Sequence, residues 1–522
     1  MVNKKTKIVG FQSGHDVSYC ILEDGIPIVH NEWERFCRKK EVIGDGLKFF
    51  FDMESGEGVD YFTHGNYLGR QDRHMNMMQP DSGIYPTFDS DADQKMRSSG
   101  AEYYEFSHHL SHAANAFFSS NHSEALIITI DGGGNEVDDG PTAITVWTGK
   151  DNKITKRHVY PLQQINIGNL WSTVTKGLGL SWGYPGGNAA GTVMAMAACG
   201  EVIPSLVDQF KQSLNGNIKF TTQGNPDDIA ASLQKATEDV IHDLVSLWLD
   251  KYPHKYLCLA GGVALNSVTV GKLYEAFPQL GDIYVPPVPF DGGLAIGSAQ
   301  YLWHHVLDNP RITWEDNFSP YLGTPYSKSD IMSSLQEAEV NYTEVSDDQV
   351  IDLLCKDDNV ISVFGGGSES GKRALGDRSI LADPRSKTMK GVINDKVKHR
   401  ESFRPFAPSI LREDVSDWFE RDVNSPYMTA VIKFKEEVAD KVPAVCHVDN
   451  SARLQTVTEK DNPWYHGFIS KFKNKTGVPI LLNTSFNDRE PIVETPTHAI
   501  NCFLKTNIDY LYFYDVGILV TK

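Results

Sequence analysis

The strongest constraint in this chain is a local pattern written twice. Lys7-Ile8-Val9-Gly10-Phe11 is an apolar, β-branched run that enters a Ser13-Gly14-His15-Asp16 turn. Val17-Ser18-Tyr19-Cys20-Ile21-Leu22 leaves that turn, and the hairpin signal Asp24-Gly25 leads into Ile26-Pro27-Ile28-Val29. The same grammar returns later. Ala125-Leu126-Ile127-Ile128-Thr129-Ile130 ends at Asp131-Gly132-Gly133-Gly134, Ala143-Ile144-Thr145-Val146-Trp147 forms the next strand, and Gly149 opens another turn. Each unit reads strand, polar glycine turn, strand, turn, strand, with acidic or histidine side chains beside glycine at the turn.

A duplicated unit of this kind characterises the actin-like fold, in which two such turns point at phosphates from opposite sides of a cleft. Between the units, Leu110, Ala113, Ala114, Phe117 and Phe118 form a helical apolar stripe. A second helix is expected from about Asp227 to Asp250. The buried strand Tyr256-Leu257-Cys258-Leu259 then runs into Ala260-Gly261-Gly262-Val263-Ala264-Leu265-Asn266, a glycine-rich turn opening a helix, where a phosphate or ribose can approach the backbone. Pro310, Pro320 and Pro325 make 309–329 irregular, so the domain boundary is expected there, with domains 1–325 and 326–522. A chain of 522 residues is long for one core and ample for two. The second part begins with an acidic amphipathic helix and the strand Val360–Phe364, and Asp89–Asp93 reads as a solvated loop.

Net charge narrows the partners. With 68 acids against 49 bases the formal charge is −19, which argues against a large nucleic-acid contact. No apolar run approaches the ~18 residues of a membrane span, and no signal-peptide pattern opens the sequence, so a cytoplasmic protein is expected. Seven scattered cysteines without a CxxC argue against a disulfide framework or zinc cluster and read as small buried apolar residues.

Against this acidic background, two kinds of cluster point to chemistry. His108 and His112 are spaced i, i+4, which puts both imidazoles on one helix face, while His109 points elsewhere. Asp131 and Asp291 stand at glycine-flanked strand ends where a carboxylate can complete a metal site, and mixed ligation of this kind suits iron, manganese or zinc. His15 and Asp16 offer a general base and its orienting or metal-binding partner; an ordinary capped turn accounts for them equally. The second half gathers cations interleaved with glycine and aromatics: Gly371-Lys372-Arg373-Ala374-Leu375-Gly376-Asp377-Arg378-Ser379, Lys396-Val397-Lys398-His399-Arg400-Glu401-Ser402-Phe403-Arg404-Pro405-Phe406, and Arg453. Such clusters favour a polyphosphate or carboxylate ligand. Leu482-Asn483-Thr484-Ser485-Phe486-Asn487 adds hydroxyl and amide groups at a strand end.

Taken in order, these motifs resemble the NodU-type O-carbamoyltransferases, which act in antibiotic and nodulation-factor synthesis. The resemblance rests on Gly14-His15-Asp16, Glu32-Trp33-Glu34-Arg35-Phe36, His108-His109-Leu110-Ser111-His112, Asp131-Gly132, Ala260–Asn266, Pro289-Phe290-Asp291, Arg373–Arg385, Phe403–Pro408 and Leu482–Asn487, and covers nearly the whole chain. It implies an α/β architecture: an N-terminal actin-like (ribonuclease H-like, duplicated) domain and a C-terminal α/β YrdC-like domain. It implies that the second domain makes carbamoyl-adenylate from carbamoyl phosphate and ATP with magnesium. The first then passes the carbamoyl group to a hydroxyl of a small-molecule acceptor at a bound metal, iron foremost. Carried over by position, His108, His112, Asp131 and Asp291 hold the metal, and His15 and Asp16 act near the acceptor hydroxyl. Arg373, Lys398, Arg404, Arg453, Ser485 and Asn487 hold ATP and carbamoyl phosphate, with Lys398 and Arg404 acting in catalysis; Gly132, Gly133, Gly261, Gly262 and Asn266 meet the adenylate. A homodimer is compatible with this reading. Two departures stand out: Gly371-Lys372-Arg373 replaces Gly-Pro-Arg, and Thr192 stands where a lysine is usual. The alternatives are an actin-like kinase or ATPase, a nucleotide- or metal-sensing protein without turnover, and carbamoylation of a hydroxymethylated nucleotide.

Overall fold

The computed structural model describes residues 4–66, 89–180, 189–217, 220–356, 358–401 and 403–522. The chain divides into two compact units, Met1–Cys37 with Glu41–Phe318, and Arg38–Lys40 with Ser319–Lys522. The change of unit falls inside the proline-rich 309–329 stretch, but the short segment Arg38–Lys40 groups with the second unit, against the sequence order.

Among the described residues the first unit contains two five-stranded sheets. The strands are β1 (Lys7–Gln12), β2 (Ser18–Glu23), β3 (Ile26–Glu32), β4 (Tyr61–His64), β5 (Glu102–Glu105), β6 (Glu124–Glu136), β7 (Gly140–Lys150), β8 (Lys153–Pro161), β9 (Tyr256–Ala260) and β10 (Asp282–Tyr284). One sheet runs β3-β2-β1-β4-β5 and the other β8-β7-β6-β9-β10. In both, the first three strands are antiparallel and the last two join parallel, so the repeat read in the sequence is a repeat of topology. The central strands β1 and β6 are apolar because both of their faces are covered. Helix His108–Ser119 buries Ala113, Ala116 and Phe117 against Ile127 and Cys258 of the second sheet.

Two details depart from the expected pattern. Asp131–Gly134 is not a terminal turn: β6 continues through it to Glu136, with the pairing slipping from Ile130↔Ile144 to Gly134↔Thr142. Three residues, Asp131 to Gly133, therefore oppose one, and the bulge lifts Asp131 out of the ladder. The acidic stretch Asp89–Asp93 is the start of helix Ser90–Ser98, which Asp89 caps through the Asp91 and Ala92 amides.

The second unit is built on a nine-stranded sheet among the described residues. Its strands are β11 (Asn341–Glu344), β12 (Ile361–Phe364), β13 (Arg378–Ala382), β14 (Ala407–Leu411), β15 (Ala430–Lys433), β16 (Ser451–Val457), β17 (Ile480–Ser485), β18 (Tyr510–Phe513) and β19 (Ile518–Thr521), in the order β11-β19-β18-β12-β13-β17-β14-β16-β15. Helices Lys328–Glu337 and Asp347–Leu354 each begin with a capping box, Ser327 with Asp330 and Ser346 with Gln349. Where the sequence leads one to expect a single acidic helix there are two. β17 runs on to Ser485, so Asn483 and Ser485 are strand residues rather than loop residues.

Among the described residues, no helix is long and apolar enough to cross a membrane. The seven cysteines are free thiols, but of these Cys20, Cys258 and Cys502 alone are buried and Cys199 is exposed, so the expectation of buried apolar cysteines holds for three.

Candidate functional site

In the first unit four side chains from three elements converge. Helix His108–Ser119 presents His108 and His112, the β6 bulge presents Asp131, and the turn after Pro289-Phe290 presents Asp291. The two imidazole Nε2 atoms lie 3.1 Å apart. His112 Nε2 is 3.0 Å from Asp131 Oδ2 and 3.5 Å from Asp291 Oδ1; His108 Nε2 is 3.5 and 3.7 Å from the same oxygens. Four donor atoms at bond lengths of about 2.1 Å around one ion stand about 3.4 Å apart at tetrahedral angles. The five distances that involve an imidazole, 3.0–3.7 Å, bracket that value, all the donor atoms lie within 4.8 Å of one another, and among the described residues this is the group of histidines and acids able to hold an ion. Two imidazoles and two carboxylates form a borderline-to-hard donor set, which fits iron, manganese or zinc.

The surrounding residues explain why the cluster forms. A methyl group on Gly134 would sit 2.2 Å from His108 Cδ2, so the bulge closes on the imidazole only with glycine there. Gly261, at φ +89°, lies against the Ile130 carbonyl, where a Cβ would approach to 2.2 Å. The Gly132 and Gly262 amides donate to Asp131 at 2.5 and 3.2 Å. Three carbonyls hold the Asp291 turn. Asn115, on the histidine helix, donates to Val288; the Gly261 amide donates to Pro289; Ser18 and His30 donate to Gly292. His109 points away, bonded to Thr129 and Thr142, and burial holds it near 3 and therefore neutral.

Electrostatics concentrate on the same atoms. Burial pushes the Asp131 carboxyl up, but hydrogen bonds from His108 and His112 reverse this and hold it well below the usual carboxylate range. Burial pulls His112 down, yet Asp131 and Asp291 lift it to about 9. His15 lies beside the cluster: its Nε2 is 3.2 Å from Asp291 Oδ2 and its Nδ1 is 2.9 Å from Asp16. Burial opposes its proton, but Asp291 and Asp16 raise it to about 10.

Among the residues expected to meet an adenylate, Gly132, Gly261 and Gly262 are thus at the cluster, Gly132 and Gly133 being exposed. Asn266 is engaged within the protein. Its amide is consumed in capping helix Ser267–Ala276 through the Thr269 amide and in pairing with Gln234. Thr192 is buried in the short helix Ala190–Met196.

The second unit holds a separate basic cluster. Arg373 follows a glycine turn, Arg400 and Arg404 precede β14, and Arg453 lies on β16. Partial burial lowers all four guanidinium groups, and repulsion from neighbouring arginines adds to it for three of them: Arg373 falls to about 10, Arg400 to about 9, and Arg453 well below its ordinary range, while Glu401 partly offsets the fall at Arg404. The Nε atoms of Arg400 and Arg453 are buried without a hydrogen-bond partner among the described residues. The carboxylate beside Arg404, Glu401, is exposed and 3.7 Å away. Cations gathered with so little counter-charge are an anion site in waiting.

Lys398 is tied into its own loop. The residue is 8% exposed, and its ammonium donates to the Ser485 and Asn487 carbonyls at 2.6 and 2.8 Å and to Asn487 Oδ1 at 2.6 Å. It thereby shapes the loop that carries Ser485 and Asn487. Arg378 is structural, fully buried over the Phe364 ring at 3.6 Å. Sequence reasoning missed Glu369, which accepts from the Leu375, Asp377 and Arg378 amides and so folds the segment after Arg373. It also missed the Ser409–Gln455–Asn483 network that ties the Ala374 and Leu375 carbonyls to the sheet. Neither carried a local signal, since a single acid or amide in a strand or glycine loop looks ordinary. Ser402, in the second basic motif, lies outside the described residues.

Known proteins resemble this chain over both units. Residues 92–225 and 214–300 match the family described as Carbamoyltransferase N-terminus, and residues 352–520 match Carbamoyltransferase C-terminus. Nodulation protein NolNO of Sinorhizobium fredii is 36% identical over 437 residues, covering 78% of this chain and 62% of that protein. Nodulation protein NolO of Bradyrhizobium diazoefficiens is 34% identical over 428 residues, covering 77% of each chain. Full-length HypF aligns at a TM-score of 0.40 and 13% identity over 59% of this chain and 57% of its own, a likeness too slight to carry an argument. The matched regions carry both the histidine–aspartate cluster and the arginine cluster, and the chain belongs to the NodU-type carbamoyltransferase family and is a carbamoyltransferase.

Proposed function

We propose that the enzyme is an ATP-dependent O-carbamoyltransferase acting on a hydroxyl of a small molecule in two steps. In the first, carbamoyl phosphate loses phosphate to water, and the carbamate oxygen attacks the ATP α-phosphorus. The bond to the pyrophosphate leaving group breaks, giving carbamoyl-adenylate and pyrophosphate. In the second, an acceptor oxygen attacks the carbamoyl carbon, AMP leaves, and the acceptor proton passes to a base. Adenylation is needed because nitrogen donation into the carbonyl makes carbamate a poor acyl donor.

The observation that carries this reading is the gathering of four half-buried arginines, Arg373, Arg400, Arg404 and Arg453, with little counter-charge among the described residues. Polyphosphate supplies the negative charge they lack, and each well-placed donor on a developing phosphate charge is worth about 3–4 kcal/mol. Ser485 and Asn487, fixed by Lys398, add neutral donors and acceptors at the end of β17. In the first unit, His108, His112, Asp131 and Asp291 are the residues to hold a divalent metal, iron, manganese or zinc, which when bound supplies a Lewis acid for carbonyl or phosphate oxygen. Asp16 and Asp291 orient His15 beside that set, where it acts near the acceptor hydroxyl.

The test is to supply purified protein with magnesium-ATP and carbamoyl phosphate and identify the released product. Pyrophosphate is expected, lost in Arg453→Met but retained in His112→Ala, which loses transfer of labelled carbamoyl to a panel of hydroxylated acceptors. Release of ADP, or turnover independent of carbamoyl phosphate, would falsify the proposal.

A further inference from the structure

The loop leaving β17 carries Ser485 and Asn487, and its last backbone bond to the neighbouring strand β13 is the one the Phe486 amide donates to the Arg378 carbonyl. Lys398 grips one side of it through the Ser485 and Asn487 oxygens. The other side is gripped by Arg38, from the short segment that groups with the second unit despite its distance in sequence. Arg38 Nη1 donates to the Ile492 carbonyl at 2.7 Å, Nη2 to the Pro491 carbonyl at 2.6 Å, and Nε to Glu490 Oε2 at 3.4 Å. The Glu490 carbonyl accepts from Asn487 Nδ2 at 2.8 Å. One guanidinium therefore holds three consecutive residues, the first of which fixes the Asn487 amide.

A second feature points the same way. Arg38 sits at φ +59°, a left-handed conformation that costs any residue with a Cβ and persists only where its surroundings dictate it. A planar fork with its donors in fixed directions spans these three acceptors; an ammonium, with a single centre, does not.

We propose that Arg38 is a positioning residue of the nucleotide and carbamoyl phosphate site in the second unit, acting through Glu490 on Asn487. This inference rests on the function proposed above. Its test is steady-state kinetics of pyrophosphate release by the full-length protein, varying ATP and carbamoyl phosphate in turn. Arg38→Ala and Arg38→Lys are expected to raise KM for one or both substrates about tenfold, the scale of a lost charge-assisted bond, with kcat changed by less than about twofold. Millimolar guanidinium should lower the raised KM of Arg38→Ala and leave wild type unaffected, which a general loss of packing would not produce. If Arg38→Ala does not fold, Arg38→Lys, which keeps stem and charge, decides the matter. Folded variants with wild-type KM, or with reduced kcat at unchanged KM, overturn the inference while leaving the proposed function standing. Should wild type release no pyrophosphate, the proposed function fails first. Calorimetry with ATP then decides this inference, and equal affinity in wild type and Arg38→Ala overturns it.

Discussion

Gly134→Ala offers a way to disturb the proposed metal site without touching a ligand. The added methyl would lie 2.2 Å from His108 Cδ2, 2.3 Å from Cγ and 2.6 Å from Cβ. Carbon atoms in contact settle near 3.5 Å, so the imidazole must retreat by about 1.3 Å or the strand must yield by as much. Gly134 is paired in register with Thr142, and its φ is not in the left-handed region, so alanine suits the backbone and the strain falls on the ring. Metal–ligand distances tolerate about 0.2 Å. A displacement several times larger costs the site His108 as a ligand, and metal affinity should fall by at least the roughly 100-fold seen when a supporting group is lost. Overpacking should also lower stability by about 1–3 kcal/mol. Zinc or manganese affinity of the metal-stripped protein, by competition with a chromogenic chelator, measures the first effect, and pyrophosphate release reports whether the second unit is intact. Wild-type metal affinity in folded Gly134→Ala would refute the reasoning, because the ring would then have no need of the space that glycine leaves.

Other consequences follow from the same packing. Arg453→Met removes a half-buried cation beside three others, so the variant should lose adenylate formation yet melt about 2–4 °C higher, as for about 1 kcal/mol; a lower melting temperature would mean that Arg453 is already neutralised within the protein. Lys398→Met strands the Ser485 and Asn487 acceptors and should cost about 3 kcal/mol, read from the urea midpoint; an unchanged midpoint would exclude the role assigned to Lys398. Burial, with Arg311 nearby, lowers His304 to about 4 from its ordinary 6.5. The unfolded chain therefore binds more protons between those values, so the contribution of His304 is complete above 6.5 and is lost as the pH falls towards 4, up to about 3 kcal/mol. Replacing it with glutamine should flatten the fall of the urea midpoint over that window, and an unaltered slope would count against the assignment.

Much of the first unit is legible in the sequence because its signals are local. Alternation and glycine turns report β1 to β3 and β6 to β7, and the apolar stripe reports helix His108–Ser119. The i, i+4 spacing alone puts His108 and His112 on one face. The apparent turn at Asp131 is a bulge, since glycine marks both and the difference lies in the partner strand. The oxygens that Lys398 meets lie some ninety positions on in the chain, beyond any local signal.

The order of residues alone determined the repeated strand-and-turn unit, the helix face bearing two imidazoles, and the gathering of cations in the second half. Each is a matter of period or composition within a short window. Tertiary structure decided how closely Asp131 and Asp291 approach the two histidines, which oxygens the Lys398 ammonium meets, and that Arg38 groups with the second unit. Those facts depend on which distant segments pack together, and the chain's local preferences carry no record of that until burial and hydrogen bonding bring the segments into contact.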